Sequence, residues 1–406
     1  MNGFLIHQKQ HCKNFTFTTF TTFITTFKDL KESKMKKYFL SLFLLYSTIA
    51  ICQSKIYYLE GTLGKSTIFM TVQVYKSDNE ANLNAVYFYK SSLKDIKLEG
   101  KLKDGNNFTF YFKPGDNITE KFYLKKSGNN FDGFWYDAKE KQLAVHLEPV
   151  NFDNYKSNLK IRFEDERLNL VKYKFLEFKK QKTTIYNNKE FVWYSEKHCD
   201  TDFFRLGNNF SEKNKTLINP VLEKIHIENT LAQLNCASSF GYSQGKGIEG
   251  NTTINFLNND LLGFQVSMFW DCGGAHPDFG SSGYLIDLNN GKQYGIDDIL
   301  AFDKSVTGDS ENNFDAFSKY RNDFFSPKLL AVINSQEHFE KPKNEDDYCD
   351  YTNEEYWDFP SWSYTEKGIE FTPIFYRAAR SCEEPFLVPF EKLKKYKNPK
   401  FPYEFK

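Results

Sequence analysis

The chain has 406 residues, and its 53 Lys and Arg balance its 53 Asp and Glu. A charged fraction of 26% with a mean hydropathy of −0.60 excludes a polytopic membrane protein, and a formal charge of zero argues against the basic stripe of a nucleic-acid binder. The length suffices for two or three domains, and 42 Phe with 25 Tyr against 4 Met tilt the expectation toward strands.

The first 54 residues do not read as fold. Met35-Lys36-Lys37 is a short basic segment, and Tyr38 to Ile51 then runs fourteen residues without a charge. That is short of the roughly 20 residues a membrane span needs and has the length of a secretory signal core. Residues 35–54 are therefore expected to be a signal peptide, with cleavage after Cys52 or Ser54 fitting equally. A lipid anchor on Cys52 is disfavoured because Ile51, not a small residue, precedes it. Residues 1–34, with the run Phe15-Thr16-Phe17-Thr18-Thr19-Phe20, read as a start assigned too early or as an extension. From residue 55 on there are 46 basic and 51 acidic residues, a mild negative balance.

Residues 55–150 read as strands and turns. Ile56-Tyr57-Tyr58-Leu59 comes first. Ile68, Met70, Val72 and Val74 then share one face, with Thr71 and Gln73 on the other. Val86 to Tyr89, Ile96 to Gly100, Phe108 to Phe112, Phe131 to Trp135 and Leu143 to Leu147 follow. Asp104-Gly105-Asn106, Pro114-Gly115-Asp116 and Ser127-Gly128-Asn129 give turn signals between them. Strands at intervals of roughly 8–12 residues predict an antiparallel meander, barrel or sandwich. In order, Glu60-Gly61-Thr62, Tyr87-Phe88-Tyr89, Leu98-Glu99-Gly100 and Gly133-Phe134-Trp135 resemble a small β-module of exported bacterial proteins. That resemblance implies no catalytic role.

Residues 151–170 read as a linker. The following stretch, 171–397, mixes helix and strand, and 398–406 is a tail. Strands are expected at Lys174 to Phe178 and Lys189 to Tyr194. Asn219-Pro220 predicts a helix start, with Ile218, Val221, Leu222, Ile225 and Ala232 as its core stripe. Strands follow at Thr252 to Phe256 and Leu262 to Trp270. A second helix runs from Ser326-Pro327 to about Asn334. Ile369, Phe371 and Phe375 mark a late strand, Phe386, Val388 and Phe390 another, and Glu391 to Tyr396 a closing helical turn. The expected class is α+β: an all-β antiparallel module, then a mixed domain with an antiparallel sheet and two or three helices.

One segment carries more information than the rest. Trp270-Asp271-Cys272-Gly273-Gly274-Ala275-His276-Pro277 ends a strand. Tyr284, Ile286 and Leu288 then alternate up to the turn Asn289-Asn290-Gly291, and Asp297-Asp298 opens a helical turn. Gly273-Gly274-Ala275-His276, Asp287-Leu288 with Gly291-Lys292, and Ile296-Asp297-Asp298-Ile299-Leu300 resemble a bacterial domain of unknown function. That domain forms the ectodomain of a lysozyme-sensing anti-sigma factor and accompanies the catalytic domain of a peptidoglycan deacetylase. Ser363 to Ile369 and Val388-Pro389-Phe390-Glu391-Lys392-Leu393 fill the places of its C-terminal motifs. The resemblance covers roughly 171–397 and implies lysozyme or a peptidoglycan-derived glycan as partner. Cys272, Pro277, Cys349 and Cys382 depart from the pattern.

His276 reads first as a turn-fixing histidine and second as a ligand-binding one. A catalytic role would pair it with Asp271, Asp287 or Asp297. No His, Cys or carboxylate spacing suggests a metal site, and no cofactor motif is present. Adjacent carboxylates such as Asp297-Asp298, Asp346-Asp347 and Glu354-Glu355 face opposite ways on a strand and read as solvated charges. Trp357, Phe359, Trp362 and Tyr364 form an aromatic cluster, read first as core and second as a stacking surface. Five cysteines remain after residue 190, none in a C-x-x-C pair. Their spacing suggests Cys349–Cys382 and Cys199–Cys236, although spacing alone does not fix connectivity. Together these readings predict a periplasmic or secreted, non-enzymatic binding protein of the cell envelope. Its expected binding residues are Trp270, Gly273, Gly274, His276, Asp287, Trp357 and Trp362. An envelope hydrolase using His276 with a nearby Asp, and a structural accessory protein with no small ligand, are the alternatives.

Overall fold

The computed structural model describes residues 55–405 apart from 77–80, 104, 114–116, 157–166, 200–201, 237–246, 273–275, 304–312 and 344–347. The chain is α+β. Its first part is a closed antiparallel barrel of eight strands in chain order: β1 (Lys55–Leu63), β2 (Ser66–Lys76), β3 (Ala81–Tyr89), β4 (Ile96–Lys103), β5 (Asn107–Phe112), β6 (Glu120–Ser127), β7 (Asn130–Asp137) and β8 (Gln142–Pro149). Pairing of β1 with β8 closes the ring and removes the free edges of an open sheet. At that seam Gly61 faces Leu147, and a Cβ on residue 61 would stand 2.0 Å from the His146 carbonyl oxygen, so only glycine fits.

The alternation in β2 points Ile68, Met70, Val72 and Val74 inward. There they meet Tyr87, Phe108, Phe110, Phe122 and Phe131, so the interior is a packed aromatic core. The buried Tyr87 hydroxyl is satisfied by donating to Glu120 at 2.5 Å, and Trp135 Nε1 donates to the same carboxylate at 2.9 Å. Strand β6 lacks a long apolar run: Phe122 and Leu124 are its buried apolar residues, Glu120 turns to the same side, and its lysines are exposed or half-buried.

Outward-facing Phe69 and Phe88 stack at 5.3 Å between ring centroids and join the barrel to the rest of the chain. They pack with Leu93, Val150, Leu168, Val171, Leu234 and Cys199. Beside them the Lys172 ammonium, 1% exposed, donates to Asp95 at 2.6 Å and to Asn235 at 2.5 Å. Lys172 belongs to helix α1 (Asn169–Lys174), and the strand expected at Lys174 to Phe178 begins only at Phe178. Leu168, Val171 and Phe175 recur at helical spacing and bind this segment to the barrel, so the strand starts later.

Strands β9 (Phe178–Tyr186), β10 (Lys189–Glu196) and β11 (Asp202–Leu206) form a sheet in the order β11-β10-β9. Helix α2 (Glu212–Asn235) packs on it. This helix begins well before the expected Asn219-Pro220. Ser211 caps it, accepting from the Asn214 amide at 3.1 Å, and Pro220 lies inside. Asn219 instead clamps β11: Leu206 N donates to its side chain at 2.8 Å, and its amide donates to the Leu206 carbonyl at 3.2 Å. Of the expected core stripe Ile218, Leu222 and Ile225 are buried, whereas Val221 and Ala232 are half-buried and Leu231 and Leu234 are buried instead.

A second sheet follows, with β12 (Gly247–Leu257), β13 (Leu261–Asp271), β14 (Asp278–Asp287) and β15 (Gln293–Tyr294). Helices α3 (Ile296–Ile299), α4 (Phe314–Tyr320) and α5 (Ser326–Asn334) come next, the last two joined by a wider helical turn at Arg321–Phe325. A third sheet of β16 (Ser361–Tyr364), β17 (Gly368–Thr372) and β18 (Phe386–Pro389) and helix α6 (Phe390–Leu393) complete the fold. Phe375 lies beyond β17. No helix among the described residues is long and apolar enough to cross a membrane.

Candidate functional site

Strand β13 has two faces. Leu262, Phe264, Val266 and Met268 turn toward α2, while Gly263, Gln265, Ser267 and Phe269 turn the other way. On that second face the register sets Asn251 and Ser281 on either side of Ser267, and Glu249 and Phe279 on either side of Phe269. Strand β16 lies across one half of this face at Gly283, where a Cβ would meet the Trp362 carbonyl oxygen at 2.0 Å. The other half stays uncovered and floors an open groove of about 780 Å³. Its floor is polar, with Gln265 donating to Ser281 at 3.3 Å and Ser281 to Ser361 at 3.1 Å.

One wall comes from β17 and the segment after it, with Glu370, Thr372 and Ile374. The far wall is the 3₁₀ turn Arg377–Cys382 with Glu383 and Pro385. Arg380 is held from several sides. Its Nε lies 2.8 Å from Glu383, an ion pair that is off the line of a hydrogen bond. Its Nη2 lies 3.4 Å from Asp278 and donates to the Phe279 carbonyl, and its guanidinium stacks 4.6 Å from the Phe279 ring. No described residue takes up Nη1. Glu383 also accepts from the Phe375 amide at 3.0 Å. Burial raises the Glu383 pKa, and Arg380 pulls the other way. Four carboxylates (Glu249, Asp278, Glu370 and Glu383) against one arginine leave the groove acidic.

Both disulfides border this site. Cys236, the C-cap of α2, is bonded to Cys272 just past β13, and Cys349 to Cys382 at the end of the 3₁₀ turn that carries Arg380. The expected Cys199–Cys236 bond is therefore corrected. Cys199 is buried between Val171 and Leu234, its Sγ toward the Thr230 carbonyl at 3.7 Å, whereas the Cys236 and Cys272 Cα atoms lie 4.8 Å apart. Cys349–Cys382 closes a separation of 33 residues. Replacing both by serine is expected to cost about 3–4 kcal/mol, the chain-entropy value for such a loop. Urea unfolding measures this, and a cost under about 1 kcal/mol would show that packing alone holds the Arg380 turn.

The residues expected from sequence fall in different places. Trp270 lines one end of the groove, reaching it from the α2-side face with its ring over Gly280. Gly273 and Gly274 lie outside the described residues. His276 is exposed in the bend before β14, with no side-chain hydrogen bond among the described residues, and does not line the groove. The neighbouring Pro277 carbonyl accepts from Arg377 at 2.5 Å.

Asp287 is a correction. It is 1% exposed and builds the β14–β15 turn, accepting from the Asn289 amide and Asn290 side chain at 2.8 Å and from the Tyr294 hydroxyl at 3.2 Å. It lies at the end of β14 remote from His276, about 30 Å away at the usual strand rise, so the two cannot act together. Asp297 is likewise committed, to Arg321. Trp357 follows the core reading of its aromatic cluster, which corrects its place among the binding residues: it is fully buried, its Nε1 donates to the Tyr351 carbonyl at 3.0 Å, and it packs on Phe339 and Phe386. Trp362 is half-buried and holds the β16 crossing. The pair Asp346-Asp347 lies outside the described residues.

Sequence reasoning missed Ser267, Ser281, Arg380 and Glu383. The polar parity of Gln265 and Ser267 within an otherwise apolar strand was the available signal.

No protein-family model matches the sequence, and no curated protein does. Among solved structures the chain is similar to a DUF3298 family protein from Pseudomonas aeruginosa PAO1. The two are 16% identical with a TM-score of 0.30, over 56% of this chain and 96% of that one.

Proposed function

We propose that this chain is an exported, non-enzymatic binding protein of the bacterial cell envelope, and that its ligand occupies the groove on β12–β14. The observation that carries this reading is the composition of that open, roughly 780 Å³ surface. A row of amide and hydroxyl side chains gives a hydrogen-bonding floor. Phe269, the 41% exposed Phe279 and Trp270 close one end with apolar rings. Such a combination suits a pyranose ring, which offers hydroxyls at its edge and C–H bonds on its face. The acidic rim favours a ligand bearing amines or a basic protein surface. A peptidoglycan-derived glycan meets the first demand and lysozyme, as a protein surface, the second; both are implied by the resemblance of the Gly273 to His276 segment.

The test is calorimetric titration of the oxidised full chain with soluble peptidoglycan fragments and, separately, with lysozyme. Ser267 is exposed on the floor, so Ser267→Trp fills the groove with little effect on melting. Saturable binding that weakens at least about tenfold in Ser267→Trp is the expected result. Absence of saturable binding to either probe, or equal binding by the variant, would refute the assignment.

A further inference from the structure

A second cleft, of about 590 Å³, opens where the barrel meets the rest of the chain. The barrel contributes Thr67 at the start of β2 and Lys90 and Ser91 just past β3. The segment leaving α1 contributes Lys174, Phe175 and Glu177, and the end of β10 contributes Lys197 and His198. Three lysines thus line a concave surface on which Glu177 is the one carboxylate. Lys197 already pairs with Glu177 at 2.9 Å. Lys90 and Lys174 have no carboxylate partner among the described residues. Such a concentration of positive charge runs against the acidic balance of residues 55–406.

Lys90 and the His198 wall are held in place. Lys90 Nζ sits 4.5 Å from the centroid of the Phe175 ring, which holds the ammonium at the wall. The buried Glu196 carboxylate accepts from the backbone amides of Glu177 at 3.0 Å and His198 at 2.6 Å. It also binds His198 Nδ1 at 3.0 Å, which leaves Nε2 as the ring's remaining polar atom. Lysines act as point charges toward oxyanions, and the hydroxyls of Thr67 and Ser91 add donors.

We propose that this cleft binds a soluble phosphate-bearing anion, clamped between Lys90 of the barrel and Lys174 of the second part of the chain. Because the two lysines come from different halves, the bound anion ties the halves together. This inference is independent of the groove on β12–β14.

The test is calorimetric titration of the oxidised full chain with inorganic pyrophosphate and with glycerol 3-phosphate, at ionic strength held constant with sodium chloride. Saturable binding is expected, weakened at least about tenfold in Lys90→Gln and in Lys174→Gln. Both side chains are exposed, so melting without ligand stays unchanged. Lys224→Gln, which removes a half-exposed lysine of α2 outside the cleft, serves as control and is expected to bind like the parent. The proposal is overturned if neither probe binds saturably, or if Lys224→Gln weakens binding as much as the cleft variants. Co-sedimentation with phosphatidylglycerol vesicles without binding of either soluble probe would also overturn it, by assigning the lysines to a lipid surface.

Discussion

Gly283→Ala is expected to cost about 3 kcal/mol or more, the upper end of what overpacking does to a well-filled interior. The added methyl would stand 2.0 Å from the Trp362 carbonyl oxygen and 2.9 Å from its carbon. Both are backbone atoms of β16, so no rotamer change relieves the clash. Either β16 lifts off β14, or the core containing Trp357, Tyr364 and Phe371 opens with it. Gly280→Ala is the matched control on the same strand. Its methyl would meet only the tip of the Trp270 ring, at 3.3 Å, and a side-chain tip moves cheaply. Urea denaturation of the two variants measures the difference, and equal costs would show that β16 does not press on Gly283.

Asp95→Ala is expected to cost about 3 kcal/mol, at the low end for stranding one member of a buried ion pair. Lys172 would keep Asn235 as a hydrogen-bond partner and the Phe88 ring at 4.9 Å, but its ammonium would lose its counter-charge in a site 1% exposed. The rescue is more diagnostic than the loss. With Lys172→Met added, the site carries no charge, the half-buried Asn235 amide is its remaining polar side chain, and most of the stability returns, since a buried pair contributes little beyond cancelling its own desolvation. If the double variant is less stable than Asp95→Ala alone, the pair itself contributes favourably and the expectation fails. Limited proteolysis between residues 150 and 168 reads the same event as loosening of the barrel from α1.

The barrel was largely legible because its signal is local: period-two alternation in β2 and β3, punctuated by turn residues. Strand β6 was missed because its lysines dilute the pattern to Phe122 and Leu124, although turn signals bracket it on both sides. Local rules misled where tertiary contacts outweigh them. Pro220 looks like a first-turn proline, but Asn219 is needed to clamp β11, and the helix extends past both residues to Ser211. Asp287 attracted attention as a motif residue, yet its carboxylate is consumed by the turn it builds. The groove was the least legible feature. Its floor comes from residues 249–281 and its walls from 361–385, and long-range contacts bring them together: the crossing of β14 by β16 and the hold of Arg380 on Asp278 and Phe279.

Cys199 gives the contact between the barrel and helices α1 and α2 a role in oxidative folding. Cys236 is almost equally far along the chain from Cys199 and from Cys272, so loop-closure entropy gives it no reason to prefer its native partner. The choice is made by the cluster of Phe69, Phe88, Leu93, Val171 and Leu234, which draws Cys199 inside. Oxidation before that cluster assembles leaves two thiols competing for Cys236 on equal terms. Packing of Cys199 before oxidation is therefore expected to favour the native pairing over a Cys199–Cys236 bond.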